Sequence, residues 1–305
     1  MTKAAKKNYI TGFIITFIGA ILFSTKAIFV KLAFANTDVD AVSLLALRML
    51  FSVPIYICVA LFYSNKAGNI KFTKREWIKI IFLGFIGYYL SSLFDFIGLQ
   101  YISAGLERLI LFLYPTFAIL LNAMVFKKKI NRVQLLALIL TYAGIAIAYF
   151  GELKLDASNP HFFRGSFFIF LCALTFSIYL VGSGRLIPMV GATKFTAYTM
   201  TAAALGVLLH YLFVTVNPVH HFSWSVIQYG LLLAIIATVI PTFFISNGLK
   251  KIGSNNVAII SSIGPVSTIL QAHYVLGERL IMAQVTGTVL VIAGVLLTGW
   301  RNRDI

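Results

Sequence analysis

The feature that most constrains this chain is a succession of long apolar runs. Ten can be read, at 10–34, 41–63, 78–98, 104–125, 133–150, 165–184, 192–214, 225–247, 255–276 and 281–300. A membrane-spanning helix needs about 20 mostly apolar residues, and the runs cluster around that length. They show no strand-like alternation and are far too long for barrel strands. Backbone polar groups in lipid must be satisfied within the segment, so the runs are read as helices. Composition agrees: 60% of the 305 residues are hydrophobic and only 11% are charged, with a mean hydropathy of +0.92. A soluble domain is about 45–50% apolar and about 25% charged. A soluble globular enzyme is thereby excluded. The expected fold class is an all-α integral membrane protein with ten transmembrane helices. The longest connections, 64–77 and 151–164, are too short to form a domain. Cys58 and Cys172 fall inside apolar runs and read as small core hydrophobes, not as a disulfide framework or metal site.

The net charge of +16 would suggest nucleic acid in a soluble protein. Its distribution points elsewhere. With the N-terminus inside, eighteen Lys and Arg fall on cytoplasmic segments and three, Lys154, Arg164 and Arg279, on external ones. That asymmetry satisfies the positive-inside rule and places both termini in the cytoplasm. Charge spread over six loops and tails does not make a nucleic-acid face. The basic start and Ala33-Phe34-Ala35 imitate a signal peptide, but the stretch is too long and carries Lys26 and Lys31.

The two halves resemble each other. Shifted by 150, Gly98-Leu99 meets Gly248-Leu249, and the register continues through Ile102/Ile252, Pro115/Pro265, Gln134/Gln284 and Gly144/Gly294. At a shift of 153, Gly12, Phe17, Ala20, Phe23 and Ser24 meet Gly165, Phe170, Ala173, Phe176 and Ser177. The expected units are 1–150 and 151–305, each with five helices. Because five is odd, the second unit enters the membrane in the opposite sense. Inverted repeats are the usual framework for alternating access, with the site where the halves meet. Pro115 and Pro265 fall near the middle of the fourth and ninth spans. Each removes a backbone bond, freeing the carbonyls of Leu111 and Ser261. Such groups persist in lipid only where protein or a watery cavity covers them. These prolines are therefore candidate helix-break and gating positions, with a plain packing kink as the alternative.

Ionisable residues inside spans mark function by default. Here they are Lys26, Lys31, Arg48, Asp95, Glu107 and Arg108, all in the first half and summing to +2. Gly12, Gly19 and Lys26 share a helical stripe; Ala20, Ser24, Ala27 and Lys31 form its neighbour; Gly84, Gly87, Ser91, Asp95 and Gly98 share another. Small residues allow close helix approach, so these faces point into protein. Lys31, Asp95, Glu107 and Arg108 sit near span ends, where snorkelling to headgroups is the alternative. The six are candidate substrate-binding residues, with Tyr88, Tyr114 and Tyr179 as candidate cavity linings. A net positive cavity would draw a carboxylate; alternatively, Asp95 or Glu107 would carry a coupling proton. His210 and His273 read as packed residues, and His220-His221 is too isolated for a metal site. HExxH, GxxxxGK[ST] and GxSxG are all missing, so neither an enzyme nor any metal, nucleotide or other cofactor is expected.

The whole chain resembles the ten-helix EamA-type branch of the drug/metabolite transporter superfamily. The resemblance rests on Ile21-Leu22-Phe23-Ser24-Thr25-Lys26-Ala27 running to Lys31, on Leu47-Arg48-Met49, and on Gly98-Leu99-Gln100-Tyr101-Ile102-Ser103-Ala104. Pro115 and the stretch Leu276-Gly277-Glu278-Arg279-Leu280 with Gln284, Gly287 and Gly294 complete it. It implies an inner-membrane carrier of small organic molecules such as amino acids or other carboxylate-bearing metabolites, often exported. Its partners are the solute and membrane lipid; oligomeric state is not readable. The first half has Lys127-Lys128-Lys129 where the second has Gly277-Glu278-Arg279, so the family's glutamate turn maps only to Glu278. Its expected role is structural, capping the tenth helix. A passive channel and a non-transporting scaffold or receptor are the alternative functions.

Overall fold

The computed structural model describes residues 3–65, 71–126, 132–155, 158–215, 222–261 and 263–300. Lys66, Lys127, Lys128, Lys129, Arg301 and Arg303 of the charge tally, with His220 and His221, lie outside them. Among the described residues the chain is helical, with no strand. Eight helices are long and apolar enough to cross a membrane. They are α1 (Asn8–Asn36), α2 (Ala41–Ser64), α3 (Lys74–Leu99), α4 (Ala104–Val125), α5 (Leu135–Leu155), α6 (Phe162–Val190), α7 (Ala192–Val214) and α8 (Trp224–Ile252). Two shorter apolar segments follow, α9 (Gly264–Gln271) and α10 (Met282–Gly294). The ninth run is divided, because the chain stays helical to Ser261 and Pro265 then opens a new helix. The turn between the eighth and ninth runs is itself helical. A Cβ on Gly248 would lie 3.5 Å from Val257, whereas nine residues of straight helix span about 13 Å, so the chain doubles back there.

Side-chain capping starts several of these helices. Asp40 accepts from the amides of Val42 and Ser43. Thr73 and Glu76 form a reciprocal capping box at α3, which satisfies two orphan donors at once. Ser223 accepts from Val226 at the start of α8.

Glycine sets the helix crossings. Gly144 and Gly287 meet backbone to backbone between α5 and α10. Gly12 and Gly19 seat Ile252 and Phe244 of α8 against α1, and Gly98 and Gly165 bring α3 and α6 together. The large apolar side chains turned outward, among them Phe13, Ile81, Leu135 and Phe213, form the surface that meets lipid.

Three helices are interrupted. Within α3 the segment Phe85–Leu90 widens to a π-helical turn, and within α8 the segment Ile235–Val239 does the same, 150 residues later. In α8 the reason is local: Pro241 has no N–H for the carbonyl four residues back. In α3 the turn sits at Gly84 and Gly87, against α7 and the ring of Tyr179. α4 breaks after Leu111 and resumes at Tyr114. Pro115 and Pro265 therefore stand at the second residue of a new helical arm, where a missing N–H is tolerated, and not in the interior of a kinked helix.

Candidate functional site

Lys26, Arg48, Asp95 and Glu107 converge between α1, α2, α3 and α4. Lys26 Nζ lies 2.6 Å from Asp95 Oδ2 and 3.5 Å from Glu107 Oε1. Lys26 is 6% exposed, Asp95 1% and Glu107 0%. One ammonium thus holds two carboxyl groups, and the second oxygen of Glu107 is buried with no hydrogen-bond partner. Cys172 of α6 completes this wall, with its Sγ 3.2 Å from Ser91 Oγ and 4.0 Å from Asp95 Oδ1. Arg48 lies beside the cluster at 2% exposure. Its Nε donates to Thr238 Oγ1 at 2.7 Å and its Nη1 to Ser92 Oγ at 3.4 Å, while the guanidinium rests on the Phe96 ring. Thr238 sits in the π turn of α8, and its own hydroxyl donates to the Leu233 carbonyl at 2.7 Å. The irregular turn aims that hydroxyl at the arginine, a use in keeping with the functional bias of π turns.

These residues line a chamber of about 30 Å³, walled by Lys26, Arg48, Tyr88, Ser92, Asp95 and Cys172 among others. It has room for about one or two waters. Phe23, Tyr88, Leu111 and Phe176 belong to both this chamber and a second, larger one.

The larger chamber has a volume of about 310 Å³ and lies between the two halves of the chain. Its walls are mostly apolar, with an aromatic cluster set among aliphatic side chains such as Leu111, Leu180, Ile187 and Ile245. Tyr88 and Tyr179 meet edge to face at 4.9 Å, Tyr114 and Phe176 at 5.3 Å, and Phe176 and Tyr179 stack at 5.9 Å. Hydroxyls of Ser183, Thr196, Thr242, Ser246 and Ser261 supply the polar remainder. Among the described residues Arg108 is the sole charged one in the wall. It is 6% exposed, and its guanidinium rests against Phe112 and Phe23. One Nη donates to Ser24 Oγ at 3.3 Å, and the single Ser24 hydroxyl proton is shared between the Ala20 carbonyl at 2.9 Å and the Gly264 carbonyl at 3.3 Å. That carbonyl belongs to the break before Pro265, so Arg108 of α4 is tied to the interruption ahead of α9. The two prolines thus mark chain breaks that flank Arg108.

Of the residues expected at a site, Lys26, Arg48, Asp95 and Tyr88 line the small chamber, and Arg108, Tyr88, Tyr114 and Tyr179 the large one. Glu107 reaches the small-chamber cluster through Lys26. Lys31 lines neither; its ammonium donates to the Leu99 and Ile102 carbonyls at 3.3 and 3.1 Å, closing the C-terminal end of α3. Glu107 and Arg108 are buried in the bundle and do not reach outward to headgroups. Glu278 does not cap the tenth helix. Its carboxylate accepts from the amides of Ala104 at 2.8 Å and Gly105 at 3.3 Å, so it caps α4 from the other half of the chain. Gly277, at φ +69°, makes the turn that points it there. His273 is packed against the Glu278 carbonyl at 2.9 Å, and His210 against Tyr89. Sequence reasoning missed Ser24, Ser92, Thr238 and Phe176 as site residues. Hydroxyls and phenyl rings are common in spans, and only the partner across the helix interface distinguishes these.

Comparison with known proteins supplies the frame. The model of the EamA-like transporter family matches residues 10–150 and again 163–300. An uncharacterized transporter, YcbK of Bacillus subtilis, is 33% identical over 287 residues, covering 90% of this chain and 88% of that protein. An uncharacterized transporter of Archaeoglobus fulgidus is 25% identical, covering 89% and 91%. A solved crystal structure at 18% identity superposes with a TM-score of 0.67 over 96% of this chain and 99% of the other, a likeness of fold.

Proposed function

This chain belongs to the EamA-like transporter family, and on that premise we propose that it is a secondary carrier of small carboxylate-bearing metabolites. It works by alternating access, with export as the direction. The observation that carries the reading is a chamber of about 310 Å³, lined from both halves of the chain, whose single charged wall residue among the described ones is a buried arginine. Alternating access needs two units that rock against each other around such a site.

The proposed units are two inverted five-helix repeats, 1–150 and 151–305, and several features support them. The family model matches twice. The π turns and the Thr73 and Ser223 caps recur at a spacing of 150. Leu113 N–H donates to Ile110 and Phe117 to Leu113, and 150 residues on Ile263 donates to Ile260 and Ser267 to Ile263. Gly12 packs on Lys251 and Ile252, and its counterpart Gly165 packs on Tyr101 and Ile102. On this reading α9 with the helical arm before it, and α10, are the ninth and tenth spans. The membrane is the inner one, with both termini cytoplasmic.

The Lys26–Asp95–Glu107 cluster is assigned to a coupling proton, because two carboxyls share one ammonium in a chamber too small for a metabolite. The groups facing it are Arg48, Arg108 and Cys172.

Purified full-length chain in proteoliposomes is expected to give saturable, trans-stimulated flux of carboxylate solutes. Unsaturable flux without trans-stimulation makes it a channel. No flux across a broad panel of metabolites leaves a scaffold or receptor.

A further inference from the structure

Among the described residues neither Arg108 nor Arg48 forms an ion pair, but Arg48 is held by two hydroxyls and the Phe96 ring beside the small chamber, while Arg108 opens onto the large one. Both ion pairs of the cluster use Lys26. Among the described residues Arg108 forms none, and its Nε is buried with no hydrogen-bond partner. Its Nη bond to Ser24 is to a neutral hydroxyl. A buried charge without a partner is strongly unfavourable. The chain keeps one facing the large chamber and its aromatic rings. That is the arrangement expected where the counter-ion arrives with the ligand.

The remaining walls define the rest of the ligand. Among the described residues no aspartate or glutamate lines the large chamber, so an ammonium group would enter without an acidic partner. Asp95 is held by Lys26 at 2.6 Å in the small chamber, and Phe23, Tyr88, Leu111 and Phe176 stand between the two spaces. Aromatic rings can attract cations, but here a guanidinium in the same wall repels them. An apolar cavity of about 150 Å³ accepts a benzene ring. A chamber of about 310 Å³ therefore accepts a ring with a short acidic side chain. Tyr88, Tyr114, Phe176 and Tyr179 offer edges and faces for such a ring.

We infer that the ligand of the large chamber is an aromatic or similarly apolar monocarboxylate without an ammonium group, its carboxylate paired with Arg108 and its ring against Tyr114, Phe176 and Tyr179. This narrows the carrier reading above and rests on it for transport, but binding alone tests it.

The experiment measures binding to the purified full-length chain by isothermal titration. The probes are 3-phenylpropanoate, phenylalanine and 2-phenylethylamine, which share a ring and differ in charged groups. The expected order is 3-phenylpropanoate tightest, phenylalanine at least about tenfold weaker (about 1.4 kcal/mol), and 2-phenylethylamine unbound. Arg108→Gln is expected to abolish 3-phenylpropanoate binding, and Arg108→Lys to retain part of it. Tighter binding of phenylalanine or of the amine, no binding of 3-phenylpropanoate, or unchanged binding by Arg108→Gln overturns the inference. Binding in the expected order without flux upholds it and sinks the carrier reading. Saturable flux of other solutes by a chain that does not bind 3-phenylpropanoate does the reverse.

Discussion

The two chambers share a wall and both hold buried cations, yet they are built on opposite principles. In the small one Lys26 is neutralised from within, by Asp95 and Glu107 of the same half of the chain. In the large one Arg108 meets rings, a hydroxyl and a chain break, with no carboxylate. The first arrangement supplies its counter-charges from within the protein and so contributes to holding α1, α3 and α4 together. The second is incomplete, and its deficit is the opening for an anion. Charge inside a membrane protein is thus not one signal but two, separated by whether the protein supplies the partner.

The sharpest way to break this contrast is to remove the internal cation. Lys26→Met strands two buried carboxyl groups, and breaking a buried pair costs about 3–5 kcal/mol. Thermal unfolding in detergent is expected to show a large loss, partly recovered when Asp95→Asn is added. A melting curve like that of the unmodified chain would mean the cluster is not a structural tie.

Arg48 stands between the two cases, compensated by hydroxyls. Thr238→Val removes the shortest of its hydrogen bonds, and such bonds to charged groups are worth about 1.5–3 kcal/mol. The unfolding midpoint should fall by less than for Lys26→Met. A larger fall would rank Arg48 as the main tie.

Glu278→Gln tests a contact across the halves that involves neither chamber. It keeps one acceptor for the Ala104 and Gly105 amides and loses the charge, for a loss of about 1 kcal/mol. The same assay reads it, and an effect equal to that of Lys26→Met would show that capping outweighs the ion pairs.

The smallest stability effect is expected at Arg108. Arg108→Gln forfeits one long bond to Ser24 while relieving an unpaired charge, so the midpoint should move by less than about 1 kcal/mol. A destabilisation matching Lys26→Met would mean that Arg108 is neutralised within the protein, and the contrast between chambers would fail.

Much of the scaffold was legible beforehand, since apolar length and small-residue stripes follow from the need to satisfy backbone and pack helices in lipid. The stripe of Gly87, Ser91, Asp95 and Gly98 does face α6. The site was legible only as a set of residue types. Lys31 carries the same charge as Lys26 five residues away, but meets two carbonyls where Lys26 meets two carboxyl groups. Glu278 was recognisable as a structural residue, while its cap lies on α4 because Gly277 turns the chain toward the other half.

The sequence by itself determined that this chain is a bundle of apolar helices, that Lys26, Arg48, Asp95, Glu107 and Arg108 lie within apolar runs of the first half, and that a spaced set of glycines and prolines recurs in the second. These follow from local composition and period, which need no partner to be read. Tertiary structure alone decided which charge meets which group, that Lys26 and Arg108 face separate chambers, and that Arg108, without an acid in contact among the described residues, opens onto the larger of these two. Pairing depends on distances between helices far apart in the chain, and a difference of one helical turn exchanges a carboxylate for a ring.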